Sequence, residues 1–214
     1  MICTRDLLTN DQLSQIQELL PQLEWVDGSY SVLGDMGKSK KNHEAVRSPV
    51  SKTIESIVMN ALNGDTSFLS QTQAASSTDI IISKMGPGDY YNVHQDNWRL
   101  GDYSTSVCLS LDEYSGGELD IDGQHVKLGG GQAVTYDTGF PHCVKEVAEG
   151  ERIVAVFWTH SHIKDKFVRN VCSKLFDACN LMEYSGPSSV EDAKKDPFFL
   201  VQSSLMDLQR RYKE

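Results

Sequence analysis

The stretch YNVHQDNWRL, residues 91–100, sets His94 and Asp96 one residue apart. Imidazole and carboxylate are both ligands for divalent metals. Strand side chains alternate faces, so positions i and i+2 point the same way and two ligands converge without a special loop. An exposed loop produces such a pair by chance as well, so H-x-D alone does not establish a site. A third ligand has to come from another strand, and the best candidate is His142 in GFPHCV.

Two histidines and one carboxylate on one face of an ion leave coordination positions open, as non-haem Fe(II) oxygenases require. Arg152 lies ten residues after His142 and opens the run RIVAVFWTH. A guanidinium projecting into a pocket lined by apolar strand residues needs an anionic partner, because an unpaired buried charge is costly. Its planar fork suits a carboxylate. The bland alternative for Arg152 is a surface ion pair with Glu149 or Glu151.

These side chains need a scaffold. TNDQ at 9–12 fits a capping box with Thr9 as N-cap, and Leu13, Ile16, Leu19, Leu20 and Leu23 follow as an apolar stripe with a break at Pro21. A second helix is expected from Ser48-Pro49, burying Ile54, Ile57, Val58, Ala61 and Leu62. From residue 79 the texture becomes short β-type runs: DIIISKM, YYNVH, YSTSVCLSL, GELDI, QHVKL, QAVTYD, HCVKEV and RIVAVFWTH. Turn signals such as GPGD, SGG, DGQ and GGG separate them, which predicts an antiparallel sandwich or jelly roll. After Ser161, Ile163, Phe167, Val171, Leu175 and Cys179 recur every fourth residue and predict a helix against the sheet; a last helix is expected over 197–212. The expected architecture is mainly β with flanking helices (α+β), in one domain over 1–214. It has a helical part at 1–78, a jelly-roll core at 79–161 and a C-terminal helical extension at 162–214.

Composition narrows the partners. The 214 residues carry a net charge of −10, which argues against nucleic acid because phosphate contacts need a clustered basic surface. The one basic cluster, KSKK at 38–41, reads as a solvated loop. No run approaches a membrane span, and MICTRDLLTND reaches charge too early for a signal peptide. Five cysteines without a C-x-x-C pair suit free thiols in a reducing, cytoplasmic setting.

The order H-x-D, S-G-G-E-L, P-H, G-x-R and F-W-x-x-S resembles the 2-oxoglutarate/Fe(II) dioxygenases of the prolyl 4-hydroxylase type, and among them the PKHD-type hydroxylases. EWVDG at 24–28, KKN at 40–42, DEYSGGELDIDG, VKLGGGQAVTYD and GERIVAVFWTHSHIKD extend the resemblance over most of the chain. It implies a double-stranded β-helix (jelly roll) core and His94, Asp96 and His142 as iron ligands. It gives Arg152 the distal carboxylate of 2-oxoglutarate. Trp158 and Leu119 become walls of the co-substrate pocket. Tyr91 lies near the site, although strict pleating puts it on the other face from His94. The implied cofactors are Fe(II), 2-oxoglutarate and dioxygen, with ascorbate as a stimulant. The implied reaction is C–H hydroxylation of a prolyl or other peptidyl residue, or of a small molecule, yielding succinate and CO2; the alternatives are a cupin-like metal-dependent enzyme that does not use 2-oxoglutarate and a catalytically silent metal-binding interaction module. Met85 stands where relatives often have Tyr, and Cys143 where they often have Arg. Asn97, Trp98 and Arg99 are expected at the cavity rim and 28–43 as a candidate lid; monomer and homodimer both remain open.

Overall fold

A computed structural model describes residues 2–31 and 39–213. Along the chain come Ile2–Asp6 (β1), Asn10–Leu19 (α1), Trp25–Asp27 (β2), Lys40–Lys41 (β3), His43–Ala45 (β4), Pro49–Gly64 (α2), Thr66–Thr72 (α3) and Ala74–Ser77 (β5). Next are Ile81–Met85 (β6), Tyr90–His94 (β7), Tyr103–Cys108 (β8), Ser115–Gly116 (β9), Leu119–Ile121 (β10) and Gln124–Val126 (β11). Gln132–Asp137 (β12), His142–Val144 (β13), Val147–Glu149 (β14) and Arg152–Ser161 (β15) complete the strands. Lys166–Leu181 (α4), Val190–Ala193 (α5) and Pro197–Tyr212 (α6) follow. The chain divides into two compact units, Met1–Gly64 with Ser77–Thr159, and Asp65–Ser76 with His160–Glu214.

The first unit is a jelly roll of two main antiparallel sheets, with a separate two-stranded ladder of β9 and β14. The larger runs β1-β12-β8-β15-β6-β4-β2 and the smaller β11-β10-β13-β7-β3. Their facing surfaces share one core: Met85, Cys108, Val134 and Tyr136 from the larger sheet meet Leu119, Ile121 and Val144 from the smaller. The centre of the larger sheet is buried on both faces, and β8 shows no exposed position. Its outer residues Val107, Ala133, Ala155 and Phe157 are inaccessible. On that side the Gln17 amide donates to the Leu109 carbonyl at 2.5 Å, and the Ile80 N–H donates to Glu55 at 3.3 Å, fastening α1 and α2.

Local signals explain these helices. Thr9 accepts from the Gln12 N–H while Gln12 caps Thr9 in return, and α1 gives way to a 3-10 turn at Leu20–Gln22 around Pro21. Helix α2 begins at Pro49, where the missing N–H costs nothing. The reading of KSKK as a solvated loop is corrected. Lys40 and Lys41 form an edge strand beside Tyr90 and Tyr91, and the Lys40 side chain is 9% exposed. Residues 32–38 of the candidate lid lie outside the described residues.

The second unit contains α3, α4, α5 and α6. Asp165 and Asp196 cap α4 and α6, each accepting from the N–H three residues on. Ile163, Val168, Cys172 and Leu205 form its core. The stripe beginning Ile163, Phe167 is therefore not the buried face of α4. Phe167 is 75% exposed while Val168, Arg169 and Cys172 are buried. A step of four residues overshoots a 3.6-residue turn by about 40°, so successive steps wander around the helix.

The S-G-G-E-L motif has a backbone cause. Gly116 sits at φ +71, and a Cβ there would lie 2.2 Å from the Glu146 carbonyl oxygen, across the β9–β14 ladder. Gly116→Ala is expected to cost about 2 kcal/mol or more, lowering the melting temperature by about 4–8 °C in a calorimetric scan.

Candidate active site

The site starts from how β13 pairs with β7. His142 stands directly opposite His94, yet Val144 is opposite Tyr91, so two steps on β13 match three on β7. Such a bulge reverses the pleat locally. It brings Tyr91 onto the face of His94, where the rings stack with centroids 3.7 Å apart. The His94 and His142 rings are 4.2 Å apart. Strand β7 ends at His94, and Asp96 lies two residues beyond it. Its Oδ1 is 3.8 Å from His94 Nε2 and its Oδ2 is 3.7 Å from His142 Nε2. One donor atom from each residue falls within 4.8 Å of the others.

Each imidazole is oriented through its other nitrogen. His94 Nδ1 lies 2.9 Å from the Asn92 carbonyl oxygen and His142 Nδ1 lies 3.0 Å from that of Phe140. A carbonyl only accepts, so Nδ1 carries the proton and the Nε2 lone pair faces the cluster. Burial, and then the neighbouring His142, hold the His94 pKa below the ordinary histidine value. His94 is thus neutral near pH 7, the form in which it can donate to a metal.

The cluster opens into a cavity of about 830 Å³ between the sheets. Small polar residues on the larger sheet's inner face, Ser83, Ser104 and Ser106, leave this volume unfilled. Strand β15 lines it with every second residue, Arg152, Val154, Val156 and Trp158. Arg152 is 4% exposed. Among the described residues it has no acidic partner, and Glu151 reaches toward Lys84 at 3.8 Å instead. The stem of Arg152 explains the second glycine of S-G-G-E-L: a Cβ on Gly117 would meet Arg152 Cδ at 3.1 Å. Burial lowers the Lys127 pKa, Glu118 opposes that shift and Arg152 adds to it, while Lys127 Nζ rests 3.4 Å above the Tyr114 ring.

Leu119 walls the cavity at 3% exposure, as does Met85, which pairs across the ladder with Arg152. Asn97 and Trp98 reach the cavity edge; Trp98 is 78% exposed, and Arg99 stacks over it at 5.4 Å. Trp158 shares the face of Arg152, and its indole N–H donates to Asp96 Oδ2 at 2.8 Å. Three further groups escape a sequence reading. Tyr136 is fully buried with its ring edge to His142, and burial raises its pKa. Burial likewise pushes the Tyr91 phenol up to about 12, so both stay protonated donors. Lys40 and Glu44 pair at 2.5 Å in the cavity wall, with Lys40 Nζ 5.3 Å from the Tyr91 ring centre. Only the alternation in QAVTYD carried a signal, for Tyr136.

A buried guanidinium without a carboxylate is a cost to the fold. Arg152→Met is therefore expected to leave the melting temperature of the ligand-free protein unchanged or to raise it. A fall of more than about 4 °C would make Arg152 a structural residue instead.

Residues 80–160 match the 2OG-Fe(II) oxygenase superfamily. A PKHD-type hydroxylase of Klebsiella pneumoniae (strain 342) is 33% identical over 176 residues, covering 75% of this chain and 78% of the relative. One from Hyphomonas neptunium is 31% identical over 195 residues, covering 85% and 86%. Among solved structures, a Pseudomonas putida prolyl-4-hydroxylase superposes with a TM-score of 0.55 at 16% identity, over 75% of this chain and 92% of that one. A Trichoplax adhaerens prolyl hydroxylase, in complex with a hypoxia inducible factor peptide fragment, gives 0.58 at 14% identity, over 75% and 83%. The chain belongs to the PKHD-type hydroxylases, enzymes of the 2-oxoglutarate/Fe(II) oxygenase superfamily.

Proposed function

We propose that His94, Asp96 and His142 hold Fe(II), and that Arg152 binds the distal carboxylate of 2-oxoglutarate. The substrate would be a prolyl or other peptidyl side chain, or a small molecule, hydroxylated at a C–H bond with succinate and CO2 released. The observation that carries this reading is one cavity containing both three converging donor atoms and a buried guanidinium without an acidic partner among the described residues. The donor set fits the ion, since both imidazoles present Nε2 and the carboxylate lies between them.

When bound, the metal and dioxygen supply the oxidising chemistry; the chain binds, orients and excludes side reactions. Arg152 anchors a diacid by charge-assisted bonds in a pocket shielded from water. Leu119, Met85 and Val154 give its methylenes apolar walls. Tyr91 stacks face to face on the His94 ring and fixes its plane. A retained carboxylate at Asp96 suits hydroxylation. The exposed Trp98 at the cavity edge offers an aromatic surface to a peptide, and the Trichoplax hydroxylase of the same fold is in complex with one.

Two variants test the assignment. Asp96→Ala should abolish iron-dependent succinate formation, and full turnover in it would remove the residue from the metal site. Arg152→Ala should lose about 2–5 kcal/mol of co-substrate binding, roughly 30- to 4,000-fold in apparent affinity. Anaerobic titration of Fe(II) and 2-oxoglutarate, read by visible charge-transfer absorption, measures that loss. A panel of prolyl peptides and small metabolites, scored by succinate release, then separates the substrate classes.

A further inference from the structure

Arg152 and Trp158 stand at opposite ends of the same inner face of β15, six residues and about 20 Å apart along the strand. A five-carbon diacid anchored at Arg152 does not span that length, so the indole N–H has other work. Its acceptor is Asp96 Oδ2, 2.8 Å away.

Asp96 needs outside support. It lies beyond the end of β7 and outside the β7–β13 ladder, so no cross-strand bond fixes it. Its neighbour Gln95 ties the segment down by donating to the Gly139 carbonyl at 2.8 Å, which leaves rotation of the Asp96 carboxylate free. Trp158, by contrast, is held firmly. Its backbone N–H donates to Thr78 Oγ1 at 3.1 Å, its carbonyl accepts from the Thr78 N–H at 2.9 Å, and it pairs with Ser104 in the ladder.

We propose that Trp158 is the positioning residue for Asp96: its indole N–H occupies Oδ2, sets the rotation of the carboxylate, and leaves Oδ1 as the oxygen offered to the ion. The inference rests on the reading of His94, Asp96 and His142 as metal ligands. A carboxylate offering one oxygen keeps adjacent coordination positions open, which the co-substrate and dioxygen both need. Partners of this kind orient metal ligands, and their loss typically weakens metal binding about 10- to 100-fold.

The test uses anaerobic binding of Mn(II) to the full chain, followed by electron paramagnetic resonance, with melting of the metal-free protein in parallel. Wild type should bind one ion and Asp96→Ala should lose it. Trp158→Phe should bind about 10- to 100-fold more weakly, with an altered spectrum and an unchanged metal-free melting temperature. Wild-type affinity and spectrum in Trp158→Phe would overturn the proposal. Equal binding by wild type and Asp96→Ala would instead overturn the ligand reading. Should Trp158→Phe not fold, Trp158→Gln and Trp158→Met decide the matter, since they match in size and differ in the N–H donor. Tighter binding by the Gln variant supports the role, and equal affinities remove it.

Discussion

The pairing of β13 with β7 is the constraint on which the site depends. With His142 opposite His94 and Val144 opposite Tyr91, the ladder gains one residue on β7. That residue changes which side chains face inward. Without it Tyr91 would point away from His94, and the histidine ring would lose the surface that fixes its plane. The same register places the two imidazoles 4.2 Å apart, closer than the roughly 4.5–7 Å of ordinary aromatic pairs. The bulge thus converts a regular ladder into a convergent donor set, and bulges are common where a sheet must re-aim a side chain.

The larger sheet contributes by what it leaves out. A jelly-roll interior is ordinarily filled by apolar side chains, and here the filling continues through Val134, Ile121 and Leu119. Opposite the cluster the pattern changes to Ser83, Ser104 and Ser106, whose short side chains leave a cavity of about 830 Å³. Packing the same positions with Val or Leu would stabilise the core by roughly 1.5–3 kcal/mol each and would close the site. The outer face of the same strands shows no such concession, since Val107, Ala133, Ala155 and Phe157 are wholly buried.

Much of this was legible because it rests on local rules. The capping box at Thr9, Pro49 at a helix start, and β-type runs parted by turn residues all reported their own structure. His94, Asp96, His142 and Arg152 stood out by their order and spacing taken together, not one by one, and the structure brings all four to one cavity. What stayed hidden depends on partners distant in sequence. Strict alternation misplaced Tyr91, since a bulge is a property of two strands together. Strand β3 is two residues long, too short for a period-two pattern, so Lys40 read as solvated although Glu44 neutralises it inside the wall. Strand β1, ICTRD, mixes charges with apolar residues and gains its identity only by pairing with β12. Trp158 shares the cavity face of Arg152, as strand alternation over six residues requires, but its hydrogen bond to a residue 62 positions earlier has no local signature.

The charge distribution raises an apparent conflict. A chain of net charge −10 should repel a dianionic co-substrate, yet its cavity is built around a cation. Distance and dielectric resolve it. At physiological ionic strength the Debye length is about 8 Å, so most surface carboxylates are screened from a ligand at the cavity mouth. Inside, Arg152 acts through a medium of lower effective dielectric, and an attraction of about 1 kcal/mol in water at 4 Å becomes about 4 kcal/mol at an effective dielectric near 20. Lys127, whose pKa is lowered first by burial, feels the opposite charge of Glu118 more strongly than it feels Arg152, so its own charge is partly offset and the field at this end of the cavity comes chiefly from Arg152.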